Sequence, residues 1–147
     1  MAHPLSWHIC ERVDKCDGSA IPIYYFKFRS VDELCREVTN DDMFEMVDRI
    51  SRIYNLGHRF RLLVDTRGVP PRLSFKTTIS AWMRANQENA RLYLDRTGVA
   101  VHSGVVRGIL GVVFTMTPPT TPVKLFSTLR DASNFVLAAA PAAATQG

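Results

Sequence analysis

The segment Arg61-Leu-Leu-Val-Asp65-Thr-Arg-Gly68 carries the clearest structural signal in the chain. A short apolar run ends in an acid, and a turn follows at Gly68. This pattern is typical of a strand that is buried on both faces of an α/β sheet and ends at the edge where such sheets bind ligands. Similar strand ends occur at residues 99–103 and 123–126, and each is followed by a helical pattern. These segments predict a repeated strand–helix architecture.

The patterns outside this segment predict the element order ββαβαβαβα. Strands are predicted at residues 7–13, 21–28, 60–64, 99–102 and 123–126. Helices are predicted to begin at Asn40 or Asp41, at Ser74, at Ser103 and at Thr128. At each of these positions a polar side chain precedes apolar residues at helical spacing. The second helix is expected to run to about Asp95 and to be broken by Thr97-Gly98.

This order predicts one α/β domain over residues 1–137, because alternating strands and helices build a mostly parallel sheet through right-handed crossovers. We expect a mixed sheet of about five strands with four helices and an antiparallel first strand. A chain of 147 residues suits a single core. Residues 138–147 are rich in Ala and Pro and predict a flexible tail.

Composition indicates a cytoplasmic protein in a reducing compartment. The cysteines Cys10, Cys16 and Cys35 are odd in number, which argues against a disulfide framework. No apolar run is long enough for a transmembrane helix, and the first residues lack the pattern of a signal peptide. The spacing of His8, Cys10 and Cys16 matches no zinc motif, so we expect no metal and no cofactor.

Charge is distributed unevenly along the chain. Residues 1–48 carry five Arg or Lys and ten Asp or Glu side chains, whereas residues 49–147 carry 13 and four. This asymmetry suits docking to an acidic protein partner or self-association, and a solvated surface is the simpler alternative. Gly104, Gly108 and Gly111 align on one side of a predicted helix and would allow a close partner. No nucleic-acid partner is expected, because the aromatic residues near the arginines have the pattern of core residues.

The carboxyl ends of the predicted strands form the candidate binding site. Two helices would begin at this edge, with free N–H groups that attract anions. The site is predicted to bind a small anion or a partner protein through Asp65, Thr66, Arg67, Arg72, Ser74, His102, Ser103 and Gly104. In the alternative interpretation Asp65 and Ser103 only cap turns, and the arginines are solvated.

The same edge carries no recognisable catalytic motif. A serine nucleophile elbow reads Gly-x-Ser-x-Gly, whereas the segment Val101-His102-Ser103-Gly104-Val105 lacks the first glycine. Adjacent His and Ser side chains on a strand also point to opposite faces of the sheet. We therefore expect no catalytic residue and a protein that is not an enzyme.

Three stretches of the chain have the pattern of a known family: RLLVDTRGV at 61–69, GVAVHSGVVRGIL at 98–110 and VKLFSTLRDASNFV at 123–136. Through these stretches, residues 21–137 resemble the STAS family and its SpoIIAA-like (STAS/CRAL-TRIO-like) relatives. The central strand of that family ends in an Asp-x-x-Gly turn, which Asp65 and Gly68 match. The resemblance implies the fold of the family and a non-enzymatic, regulatory module that acts through protein–protein interaction.

One departure from the family concerns phosphorylation. Family members that antagonise anti-sigma factors carry a phosphorylatable Ser or Thr in an Asp-Ser/Thr-x-Gly stretch at the start of the next helix. Ser74 falls close to that position and is the candidate phosphorylation site, but the neighbouring Asp and Gly are absent. Two other functions stay open. The CRAL-TRIO-like relatives imply a carrier of a small apolar ligand or lipid, and the charge asymmetry permits an accessory structural subunit of a larger assembly.

Overall fold

A computed structural model describes residues 5–13, 21–70 and 74–138, with the side chain of Ser74 left out. The strands are β1 (His8–Val13), β2 (Ile23–Phe28), β3 (Phe60–Asp65), β4 (Leu94–Ala100) and β5 (Val123–Phe126). The helices are α1 (Val31–Leu34), α2 (Asn40–Tyr54), α3 (Ser74–Ala85), α4 (Gln87–Tyr93), α5 (Gly104–Met116) and α6 (Leu129–Leu137). The predicted tail lies outside the described residues from 139 onward.

The five strands form one sheet in the order β1-β2-β3-β4-β5. β1 is antiparallel to β2, and the other neighbours are parallel. The prediction of a mixed, mostly parallel sheet with an antiparallel first strand is therefore confirmed. Because successive parallel strands are neighbours, right-handed crossovers place the connecting helices on one face of the sheet.

We call this face the front face and the opposite one the back face. On the front face, aromatic and aliphatic side chains of β2 and β3 pack in one core with α2 and α3. On the back face, α6 buries Ala132 and Val136 against Leu63 and Ala100. The sheet is thus covered on both sides at β3 and β4, which explains why β3 shows no alternation of apolar and polar residues.

β4 corrects the prediction for residues 94–102. Thr97 and Gly98 lie inside the strand, although the sequence predicted that they break a helix. A Cβ atom at Gly98 would lie 2.7 Å from Val136 Cγ2 and 2.8 Å from the carbonyl oxygen of Ala132. The glycine is therefore needed for the close approach of α6 to the sheet and does not mark a turn.

The described residues contain six helices, whereas four were predicted. The predicted helix from Ser74 to about Asp95 is divided at Asn86, whose side-chain Nδ2 donates to the carbonyl oxygen of Trp82 at 2.9 Å. The segment between β2 and α2, predicted as a connector, contains α1 with a capping box between Ser30 and Glu33. The N-cap of α2 is Thr39, not Asn40 or Asp41 as predicted. From this cap α2 runs as a regular helix to Tyr54.

Candidate functional site

The carboxyl ends of β3 and β4 bring three of the predicted site residues together. Asp65, the last residue of β3, is only 2% exposed. The side chain of Arg67 folds back onto it, with Arg67 Nη2 at 2.6 Å and Nε at 3.0 Å from Asp65 Oδ2. The backbone N–H of Arg67 also donates to Asp65 Oδ1 at 3.0 Å. His102 follows β4 and places its Nε2 3.5 Å from Asp65 Oδ1.

This network keeps the carboxylate of Asp65 ionised. Burial alone would raise its pKa, but the hydrogen bonds from Arg67 and the charges of Arg67 and His102 offset burial and leave the pKa below its ordinary value. A general base is most effective with a pKa near the working pH, far above that of this carboxylate. The geometry therefore suits a role in fixing the turn and positioning Arg67, whose side chain is 63% exposed.

Thr66 and Ser103 make structural hydrogen bonds at the same edge. Thr66 Oγ1 donates to the carbonyl oxygen of Ala100 at 2.7 Å and so ties the end of β3 to β4. Ser103 Oγ accepts from the backbone N–H of Val106 at 3.3 Å and caps α5, as the sequence predicted. Gly104 is the first residue of α5 and is exposed to solvent. The cap at Ser103, like the bond from the backbone N–H of Arg67 to Asp65, matches the alternative in which Asp65 and Ser103 cap turns.

The turn after β3 requires the glycine at position 68. Gly68 has a φ of +85°, and a Cβ atom there would lie 2.6 Å from the carbonyl oxygen of Phe28. Trp7 Nε1 donates to the carbonyl oxygen of Gly68 at 3.2 Å, which anchors the turn to the start of β1. The predicted turn is therefore fixed by close packing of Gly68 against Phe28 and by the hydrogen bond from Trp7.

The side chains of two predicted site residues lie outside what the structure describes. Arg72 lies outside the described part of the chain, and α3 begins at Ser74, whose side chain is not described. The predicted anion site and the phosphorylation of Ser74 accordingly stay predictions.

A large cavity on the front face was not predicted from the sequence. It measures about 210 Å³ and lies between the sheet and helices α2, α3, α4 and α5. The apolar residues around it include Phe26, Leu62, Met46, Trp82, Leu110 and Phe114. Each of them has the helical or strand spacing of an ordinary core residue, so no local signal separates a cavity wall from a filled core.

Polar groups line the cavity at the junction of α3 with α4 and in the connection between α5 and β5. Asn86 and Gln87 supply amide groups at the junction of α3 with α4. Thr120 and Thr121 supply hydroxyl groups in the connection between α5 and β5. Thr117, at the end of α5, is fully buried and accepts a hydrogen bond from Arg84 Nη1 at 3.2 Å. An apolar chamber with a few polar groups is the usual form of a small-molecule site.

Within the described residues, no group of three or more His, Cys, Asp or Glu side chains is placed to hold a metal ion. The helices of that same part of the chain include none that is long and apolar enough to cross a membrane. Comparison of the chain with protein-family models, curated proteins and solved structures finds no significant match.

Proposed function

We propose that the chain binds a small apolar molecule in the cavity on the front face and acts as a carrier or sensor of that ligand. The observation that carries this proposal is the cavity itself, about 210 Å³ in volume and lined by side chains of the sheet and four helices. It is larger than the engineered cavity of about 150 Å³ that stays dry and binds benzene. By the same ratio it suits a ligand of about eight non-hydrogen atoms.

The apolar wall of the cavity supports a ligand. Water in an apolar space finds few hydrogen-bond partners, so an apolar molecule is the better occupant. A ligand that fills the space gains van der Waals contacts with the wall and stabilises the folded state.

The wall of the cavity also suggests the form of the ligand. Aromatic and aliphatic side chains surround most of the space, and hydroxyl and amide groups lie at the α3–α4 junction and at Thr120 and Thr121. We infer a ligand with an apolar body and one polar end, which those groups would orient through hydrogen bonds.

Replacing Ala90 with leucine should block ligand binding. Ala90 lies on α4 and lines the cavity, so the larger side chain would occupy part of the space. We expect wild-type protein to bind indole or n-butylbenzene saturably in calorimetric titrations, and the Ala90→Leu variant to bind at least about tenfold more weakly. Native mass spectrometry of the purified protein would show whether a ligand is retained.

The matched control is Ala85→Leu, which makes the same change at an exposed position of α3. It should bind the probes like wild type, and thermal unfolding should show that both variants are folded. Wild-type protein that binds neither probe and retains no ligand, or equal weakening in the two variants, would contradict the proposal.

A second candidate is a STAS-like module that acts through protein–protein contact. The supporting observation is that α5 exposes three apolar side chains along its length, Val105, Val112 and Met116, with exposed fractions of 59%, 43% and 53%. Exposed apolar patches often mark interaction surfaces. Gly104, Gly108 and Gly111 have open space above them, so a partner could approach the backbone of α5 closely.

This candidate predicts that the purified chain, or the chain in an extract, forms a cross-linked complex. The complex should be weakened at least about tenfold by Val112→Glu, because a charge at the centre of the apolar stripe must be desolvated on binding. Asn134→Glu, at an exposed position of α6 on the opposite face of the sheet, is the control. Detection of monomer alone, with no partner captured, would exclude this function.

A further inference from the structure

Thr97 places a hydroxyl group in the apolar floor of the cavity on the front face. Gly98 faces α6 on the back of the sheet, and side chains alternate along a strand, so those of Thr97 and Val99 point to the front. Both residues line the cavity, as does Leu62, the neighbour of Thr97 on β3. Thr97 is only 7% exposed. Its hydroxyl therefore lies among hydrocarbon side chains.

The hydroxyl of Thr97 differs from those of Thr66 and Thr117, which also line the cavity. Thr66 donates to the carbonyl oxygen of Ala100 at 2.7 Å, and Thr117 accepts from Arg84 at 3.2 Å. The hydroxyl of Thr97 makes no hydrogen bond with any residue in the described part of the chain. A buried hydroxyl without a partner loses the hydrogen bonds that it would make in water.

Packing alone does not require threonine at position 97. Valine has nearly the same shape, is also β-branched and suits a strand, and it would leave no polar group in the wall. Most buried side-chain polar atoms in proteins are hydrogen-bonded, so a free one points to a partner. The cavity in front of Thr97 is the space in which that partner can lie.

Thr97 lies beside the connection between α5 and β5. Its backbone N–H donates to the carbonyl oxygen of Pro122 at 2.9 Å, and its neighbour on β5 is Val123. Thr121, which directly precedes Pro122, supplies a second hydroxyl group to the same cavity. The hydroxyl groups of Thr97 and Thr121 therefore mark a polar end of an otherwise apolar space.

We propose that Thr97 selects a neutral ligand that carries a hydroxyl or carbonyl group on an apolar body, which presupposes that the cavity is a ligand site as proposed above. The Thr97 hydroxyl can donate to a carbonyl oxygen and can either donate to or accept from a hydroxyl group. A pure hydrocarbon of the same shape would leave the Thr97 hydroxyl unpaired. An ionised ligand would lose far more on leaving water than one hydroxyl group restores.

Two probes of matched shape test the proposal, because hydrocinnamyl alcohol is n-butylbenzene with its terminal methyl group replaced by a hydroxyl group. Calorimetric titration gives the affinity of the protein for each probe. We expect Thr97→Val to weaken binding of the alcohol at least about fivefold and to change binding of the hydrocarbon less than about twofold. Thr97→Ser keeps the hydroxyl group and should keep the preference of wild type.

Three further measurements control the comparison. Thr77→Val makes the same change at an exposed position of α3 that does not line the cavity, and it should bind both probes like wild type. Ala90→Leu should weaken both probes, which would place them in the cavity. Without ligand, Thr97→Val should unfold at a temperature no lower than that of wild type, because valine removes a buried hydroxyl that lacks a partner.

The outcomes separate the role of Thr97 from ligand binding itself. Equal weakening of the two probes by Thr97→Val, or an unchanged affinity for the alcohol, would overturn the role of Thr97 and leave the proposed ligand site intact. Wild-type protein that binds the hydrocarbon but not the alcohol would have the same consequence. Wild-type protein that binds neither probe would overturn both proposals.

Discussion

Replacement of Arg61 by methionine is expected to lower the free energy of unfolding by about 3 kcal/mol. Arg61 is only 2% exposed. Its Nε donates to Asp95 Oδ2 at 2.8 Å, and its Nη1 donates to the carbonyl oxygen of Val136 at 2.9 Å. The guanidinium therefore joins β3, β4 and the C-terminal end of α6, where helix carbonyls lack partners within the helix. Methionine would remove the hydrogen bond that Arg61 donates to the buried carbonyl of Val136.

Arg59→Met is the matched control for this change. Arg59 Nη2 contacts the same carboxylate at 3.0 Å, but its side chain is 52% exposed. We expect this variant to lose less than about 1 kcal/mol, because solvent screens an exposed pair. Chemical denaturation of the two variants and wild type would give the values. A loss for Arg61→Met no larger than for Arg59→Met would show that the buried guanidinium does not hold α6 on the sheet.

The effect of Arg61→Met should also depend on pH. Burial by itself raises the pKa of Asp95, but hydrogen bonds from Arg61 and Arg59 outweigh it and hold the pKa below the ordinary 3.8. The ionised form therefore contributes stability above pH 3.8, and that contribution is lost as the pH falls through the pKa of the folded state. We expect the difference between the variant and wild type to become smaller in acid.

Gly98→Ala is expected to destabilise the fold by about 3 kcal/mol, at the upper end of the usual cost of overpacking. The new methyl group would lie 2.8 Å from the carbonyl oxygen of Ala132, which belongs to the backbone of α6 and cannot turn aside like a side chain. It would also lie 2.7 Å from Val136 Cγ2. The helix must move away from β4, and the contacts of both elements weaken.

The same substitution at Gly108 is expected to change the free energy of unfolding in the opposite direction. Gly108 lies inside α5, is exposed, and has no atom within 4 Å of the position of a Cβ. Alanine should raise the free energy of unfolding by up to about 1 kcal/mol, because it is the better helix former. Thermal and denaturant unfolding would compare the variants. A Gly98→Ala protein as stable as wild type would show that α6 does not pack closely on β4.

The end of β3 and the starts of α5 and α6 were predictable because they depend on local interactions. Asp65 and Gly68 form a turn within four residues, and Ser103 and Thr128 accept hydrogen bonds from N–H groups three residues later. Such signals lie within a few positions of one another in the chain. The start of β4 was predicted five residues too late, because Thr97-Gly98 has the local pattern of a break while its real constraint is α6.

Residue patterns along the chain were enough to predict the class of the fold, the antiparallel first strand and the edge at which Asp65, Arg67 and His102 meet. Which polar groups are buried, and where space is left between elements, became known from the packed structure alone. Arg61 and Asp95 are 34 residues apart, and α2 meets β1 across a similar distance in the chain. Burial and cavity volume depend on how whole elements pack, and residue patterns along one strand or helix do not specify that packing.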